Sequence, residues 1–182
     1  MPTNLSWRRF VIGTAVLVAI ALAVRLAVEP AAPVAAVRRA DVELREGVLY
    51  RRGETQRFSG LVIEEWSPGK RRAEVAVREG RAHGLSQGWY ENGQREVEET
   101  FVHGVSHGTR TRWYADGARK SQVKIREGQL AGTFREWHPN GQLARETSLQ
   151  AGVPHGDAKA WDTQGQPVGS AKVEHGKLVQ RD

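Results

Sequence analysis

An all-β repeat protein is expected from three features of the 182-residue chain. The predicted form is an elongated, twisted antiparallel meander of about five stacked 24-residue β-hairpins, preceded by one N-terminal hydrophobic helix. The first feature is a fixed period in glycine. Gly60, Gly84, Gly108, Gly132 and Gly156 form one column, Gly69, Gly93, Gly117, Gly141 and Gly165 a second, and Gly80, Gly104, Gly128, Gly152 and Gly176 a third. A period in this range is how a repeat array shows itself in sequence. The second feature is alternation. Val77, Phe101, Ile125, Leu149 and Val173 recur in one position, while Glu74, Glu98, Gln122, Glu146 and Ser170 recur on the opposite parity. That is the pattern of an antiparallel sheet with one wet side. The third is turn chemistry. Asn92-Gly93, Asp116-Gly117 and Asn140-Gly141 are strong short-range hairpin signals, with Pro68-Gly69 and Gln164-Gly165 as lesser versions.

In chain order, residues 1–9 are a basic N-terminal segment ending in Trp7-Arg8-Arg9. Residues 10–28 are an apolar run with Arg25 near its far end. At about 1.5 Å rise per residue it would reach about 28 Å as a helix, close to a bilayer core, with Arg25 snorkelling to the headgroups. Arg8 and Arg9 favour a cytoplasmic N-terminus and an exported C-terminal domain. The run therefore reads as a signal anchor, giving a single-pass membrane protein. The alternative is a signal peptide cleaved near Ala21-Leu22-Ala23, giving a secreted protein. Residues 29–46 read as a Pro/Ala linker, because Pro30 and Pro33 stop a helix. Residues 47–182 are the hairpin-repeat domain. Stacked hairpins bury what one alone cannot, so both ends should be atypical. The front end is a partial unit rich in apolar residues, and the last unit carries Asp157, Lys159, Asp162 and Gly169.

The first strand of each unit ends in tryptophan: Trp89, Trp113, Trp137 and Trp161, with Trp66 displaced by one place. Tyr90 and Tyr114 follow two of them. If the turn loop has an odd number of residues, such as 91–93, the tryptophans share the aliphatic face, and that shared face is the expectation. Such a stripe packs the sheet or, where rings stay half exposed, offers anchors to a partner.

Charge and chemistry narrow the function. The net charge is +6, but residues 1–40 hold five arginines against one glutamate. The remaining 22 basic and 20 acidic residues nearly balance, which argues for a solvated mixed-charge face rather than a nucleic-acid-binding stripe. Cysteine is absent, excluding disulfides and thiolate chemistry. No nucleophile elbow, apolar carboxylate pair or nucleotide fingerprint is discernible, so no enzyme activity, cofactor or small-molecule substrate is expected. His83, His107 and His155 precede unit-opening glycines, with His103, His138 and His175 in turns. Equivalent positions in successive hairpins stand about 9.5 Å apart, too far to share one ion, and no metal site is expected.

The pattern Trp-Tyr-x-Asn/Asp-Gly, an alternating strand, then Gly-x-x-His-Gly, at 89–108, at 113–132 with Ala131 replacing histidine, and at 137–156, resembles the variant MORN repeat. The resemblance covers about residues 47–179. It implies a bacterial protein of the YwqK-type antitoxin-like family, and a non-catalytic hairpin repeat used for protein binding or, in some members, membrane contact. The expected function is a membrane-anchored module that mediates protein–protein interaction on the exported side. The alternatives are an antitoxin or immunity protein that neutralises a partner toxin, and a module contacting lipid headgroups or cell wall.

Overall fold

The computed structural model describes residues 35–181. The expected basic segment, the 10–28 helix and the first part of the linker lie outside them. Among the described residues no helix is long and apolar enough to cross a membrane.

The described chain is strands and turns. Strand β1 (Ala36–Arg38) leads through a single 3-10 turn (Arg39–Asp41) into a hairpin of β2 (Val42–Arg45) and β3 (Val48–Arg51). The repeats then run as β4 (Gly60–Ser67), β5 (Lys70–Arg78), β6 (Arg81–Trp89) and β7 (Arg95–Val102). They continue as β8 (Val105–Ser106), β9 (Gly108–Trp113), β10 (Arg119–Arg126) and β11 (Gln129–Trp137). The last are β12 (Leu143–Gln150), β13 (Val153–Trp161), β14 (Pro167–Glu174) and β15 (Lys177–Arg181). From β4 onward each strand pairs antiparallel with the next in sequence, with β8 and β9 sharing one strand position beside β7. This is the expected meander.

Residues 36–45, expected to belong to a linker, are instead part of the fold. β1 pairs in parallel with β4, and β2 with β3 forms a separate two-stranded sheet. The reason lies in their valines. Val37 and Val42 are buried with Phe58, Val62 and Val77, with Leu49 and Val75 packed alongside. The segment covers apolar surface that the first hairpin would otherwise leave wet, as the end of a repeat array requires.

Two kinds of turn alternate. Glu79-Gly80, His103-Gly104, Glu127-Gly128, Ala151-Gly152 and His175-Gly176 all have positive φ at both positions, the mark of two-residue type I′ turns. The Asn-Gly and Asp-Gly sites are different. In the loop 91–93 Tyr90 N–H donates to Gln94 O, Gly93 N–H to Tyr90 O, and Gln94 N–H to Asn92 Oδ1. It is a three-residue loop with a left-handed glycine at its end, φ +86°.

The faces follow from register. Gly84 pairs with Phe101 and Gly88 with Val97, but Trp89 pairs with Arg95, so Glu96 is an extra residue. The same bulge recurs at Lys120, Ala144 and Val168. Each bulge reverses the parity between the loop and the rest of the strand. Trp89, Trp113, Trp137 and Trp161 therefore stand on the face opposite Phe101, Ile125, Leu149 and Val173. The expected shared face is corrected: the odd loop is present, and the bulge cancels its effect.

Candidate functional site

The aliphatic face holds the best-buried residues of the middle repeats, Val123 and Ile125. It also holds one charge cluster. Arg110 Nη2 donates to Glu99 Oε1 at 2.6 Å, and the Ser106 hydroxyl donates to the same oxygen. Burial pushes the Glu99 carboxyl upward. The hydrogen bonds from Arg110 and Ser106 and the charges of Arg110 and Arg112 outweigh it and hold the group below its ordinary value. A lowered folded-state pKa gives stability that is present above the unfolded-state pKa and lost as pH falls through the folded-state one. Glu99→Gln is therefore expected to cost about 1–2 kcal/mol at pH 7. The gap to the wild type should narrow in urea melts repeated below the carboxylate range.

The opposite face carries the tryptophans, and arginines lie over two of them. Arg95 stands 5.7 Å from the Trp113 ring centre and Arg119 5.1 Å from Trp137, while Arg72 stands 4.7 Å from Trp66, which lies outside this column. Each such contact is worth about 0.5–1 kcal/mol at an exposed site. Trp89, Trp113, Trp137 and Trp161 are half-buried, and Trp66 is 43% exposed. In the last two repeats Leu143 and Pro167 hold the positions of Arg95 and Arg119. There a shallow concavity of about 490 Å³ opens, lined by Lys159, Ala160, Trp161, Pro167, Val168 and Gly169. Val168, the bulge residue, is 62% exposed.

Two ladders join the hairpins at their ends. At the three-residue loops, the Tyr90 hydroxyl donates to Trp113 O at 2.8 Å, and Tyr114 does the same to Trp137 O. His138 Nε2 meets Trp161 O at 2.9 Å. Trp66 fills the same slot, 24 residues before Tyr90, and its indole N–H donates to Trp89 O at 3.0 Å. Its one-place displacement is thus a substitution within the tyrosine column. Burial, and next the charge of Glu96, raise the pKa of Tyr90, which keeps its hydroxyl a donor. At the type I′ turns, Gly104, Gly128, Gly152 and Gly176 donate N–H to the carbonyls of Ala82, Ser106, Leu130 and Pro154. Tyr114→Phe removes one rung whose acceptor then lacks its partner, with an expected loss of about 1 kcal/mol in chemical denaturation.

The expected turn glycines divide by environment. Gly93, Gly117, Gly141 and Gly165 end three-residue loops, whereas Gly69 sits in the two-residue Pro68-Gly69 turn between paired Ser67 and Lys70. Of the histidines, His83 with His103 and His155 with His175 come together across neighbouring strands, ring centres 5.0 Å apart in each pair. Sequence reasoning compared positions 24 residues apart and missed these pairs, which are 20 apart. The signal was present in the hairpin register, since Gly84 pairs with Phe101 and so brings position 83 beside the turn at 103. Among the described residues no group of three or more metal-ligating side chains occurs.

Fold and surface together define an all-β hairpin-repeat protein. A family model described as "MORN repeat variant" matches residues 82–103 and 130–150, the hairpins β6–β7 and β11–β12. At these two places the chain is similar to MORN repeats, and the same hairpin geometry recurs at 108–126 and 153–174. A search of curated proteins finds no match.

Proposed function

We infer that this is a non-catalytic MORN-repeat module that binds a protein partner through its tryptophan face. Residues 10–28 tether it to a membrane, and the repeats lie on the exported side. MORN repeats in general serve protein or membrane interaction. The observation that carries the reading is the row of half-buried tryptophans along one face, two of which, Trp113 and Trp137, are capped by arginines. Amphipathic aromatics and arginine are the residue types that anchor protein interfaces. The finer assignment, to a bacterial YwqK-type antitoxin-like family, adds a role in neutralising a toxin and is a narrower version of the same binding function.

The test is crosslinking of the tagged full-length protein in membranes, followed by affinity capture. A defined protein partner captured in stoichiometric amount is expected. Salt-sensitive binding of the full chain to anionic liposomes, with no protein captured, would replace this reading with headgroup contact. A captured toxin whose activity is suppressed would select the antitoxin role.

A further inference from the structure

We propose that the two cross-strand histidine pairs, His83 with His103 and His155 with His175, are each a two-ligand site for a late first-row divalent metal ion, copper(II) or nickel(II) ahead of zinc(II). Turn geometry does not require these histidines. His103 and His175 sit at φ +50° in type I′ turns, but Glu127 and Ala151 adopt φ +50° and +49° at the equivalent position.

Occupancy of the slot varies along the chain. Its two positions hold Ser59 and Glu79, then His83 and His103, then His107 and Glu127, then Ala131 and Ala151, then His155 and His175. Two of these five slots carry a pair of histidines, and in the first the Ser59 hydroxyl accepts the Glu79 N–H at 2.9 Å where His83 Nδ1 accepts that of His103.

The spacing fits coordination. An imidazole nitrogen about 2.1 Å from an ion places the ring centre about 3.2 Å from it. Two such rings are about 4.5 Å apart for a right-angle arrangement and about 5.2 Å for a tetrahedral one. Both observed pairs are at 5.0 Å, with interplanar angles of 61° and 70°. Among the described residues His155 Nδ1 is buried with no hydrogen-bond partner, a ring nitrogen left unused. In the other pair His83 Nδ1 accepts from the His103 backbone N–H at 3.4 Å, leaving Nε2 of His83 as the ligand nitrogen. His103 and His175 are exposed, so an ion can arrive from solvent, and water completes its shell. Imidazole nitrogens favour this group of metals, with copper(II) bound most tightly. A bound ion would tie the type I′ turn to the preceding strand.

Copper(II) is titrated into the full-length protein at neutral pH, with stoichiometry read by calorimetry and nitrogen coordination by electron paramagnetic resonance. Asparagine tolerates the left-handed region, so His103→Asn and His175→Asn are suited to keeping the turns. Each single variant is expected to lose one equivalent relative to wild type and the double variant two, together with the two-nitrogen signature and any copper-induced rise in Tm. Equal uptake by the wild type and the double variant, whether of copper or of none, would overturn the proposal. Should the double variant fail to fold, His83→Gln with His155→Gln gives the same reading without changing a turn residue.

Discussion

Gly60→Ala is expected to lower stability by about 3 kcal/mol and to release the N-terminal strands from the repeats. A Cβ at this position would lie 2.1 Å from the Ala35 carbonyl oxygen and 2.8 Å from the Phe58 ring. The backbone there has φ +153°, a region open to glycine almost alone. The oxygen cannot retreat cheaply. It accepts the Leu61 N–H at 2.8 Å, the bond that starts the parallel pairing of β1 with β4. Hydrogen exchange should show faster exchange at residues 36–62 than at the later repeats. Gly141→Ala is the control, with nothing within 4 Å of the added Cβ and φ +85°. It carries the left-handed cost alone, about 1–2 kcal/mol.

Ile125→Ala is the second large effect. Ile125 is 2% exposed, pairs with Gly108 on one side and Leu130 on the other, and lies near buried Val123 on the aliphatic face. Removing its side chain should cost about 2–5 kcal/mol, because neighbouring strands held by their own ladders cannot close the gap. Its place in the middle of the array adds a consequence. Stability in such arrays is close to a sum over neighbours, so a defect at β10 weakens the coupling between the two halves. The unfolding transition should broaden as well as shift. Val168→Ala, at an exposed bulge, should change stability by no more than about 0.5 kcal/mol.

The period, the hairpins and the aliphatic column were legible in sequence because each depends on local chemistry repeated at fixed spacing. Gly80 and its equivalents mark the type I′ turns, and Val77 through Val173 mark the buried parity. What was not legible depends on events with no local signature. The bulges at Glu96, Lys120, Ala144 and Val168 have four different side chains, so nothing in their identity announces the extra residue that sends the tryptophans to the other face. The parallel pairing of β1 is likewise a tertiary event. Its three residues, Ala36, Val37 and Arg38, look like spacer until Val37 meets Phe58 and Val62. The histidine pairs needed the strand register, and the meaning of Trp66 emerged only when its indole took the tyrosine slot.

The separation of faces underlies the functional reading, because it leaves the aliphatic side to hold the array together and the tryptophan side to meet a partner. Arg95→Glu combined with Arg119→Glu tests it most directly. Both side chains are exposed, and their change should cost no more than about 1–2 kcal/mol in total from two cation–π contacts and the exposed Arg95–Glu98 pair. In full-length protein crosslinked in membranes, this variant should keep its cooperative melt and lose partner capture. Capture at the wild-type level by the folded variant would contradict the account.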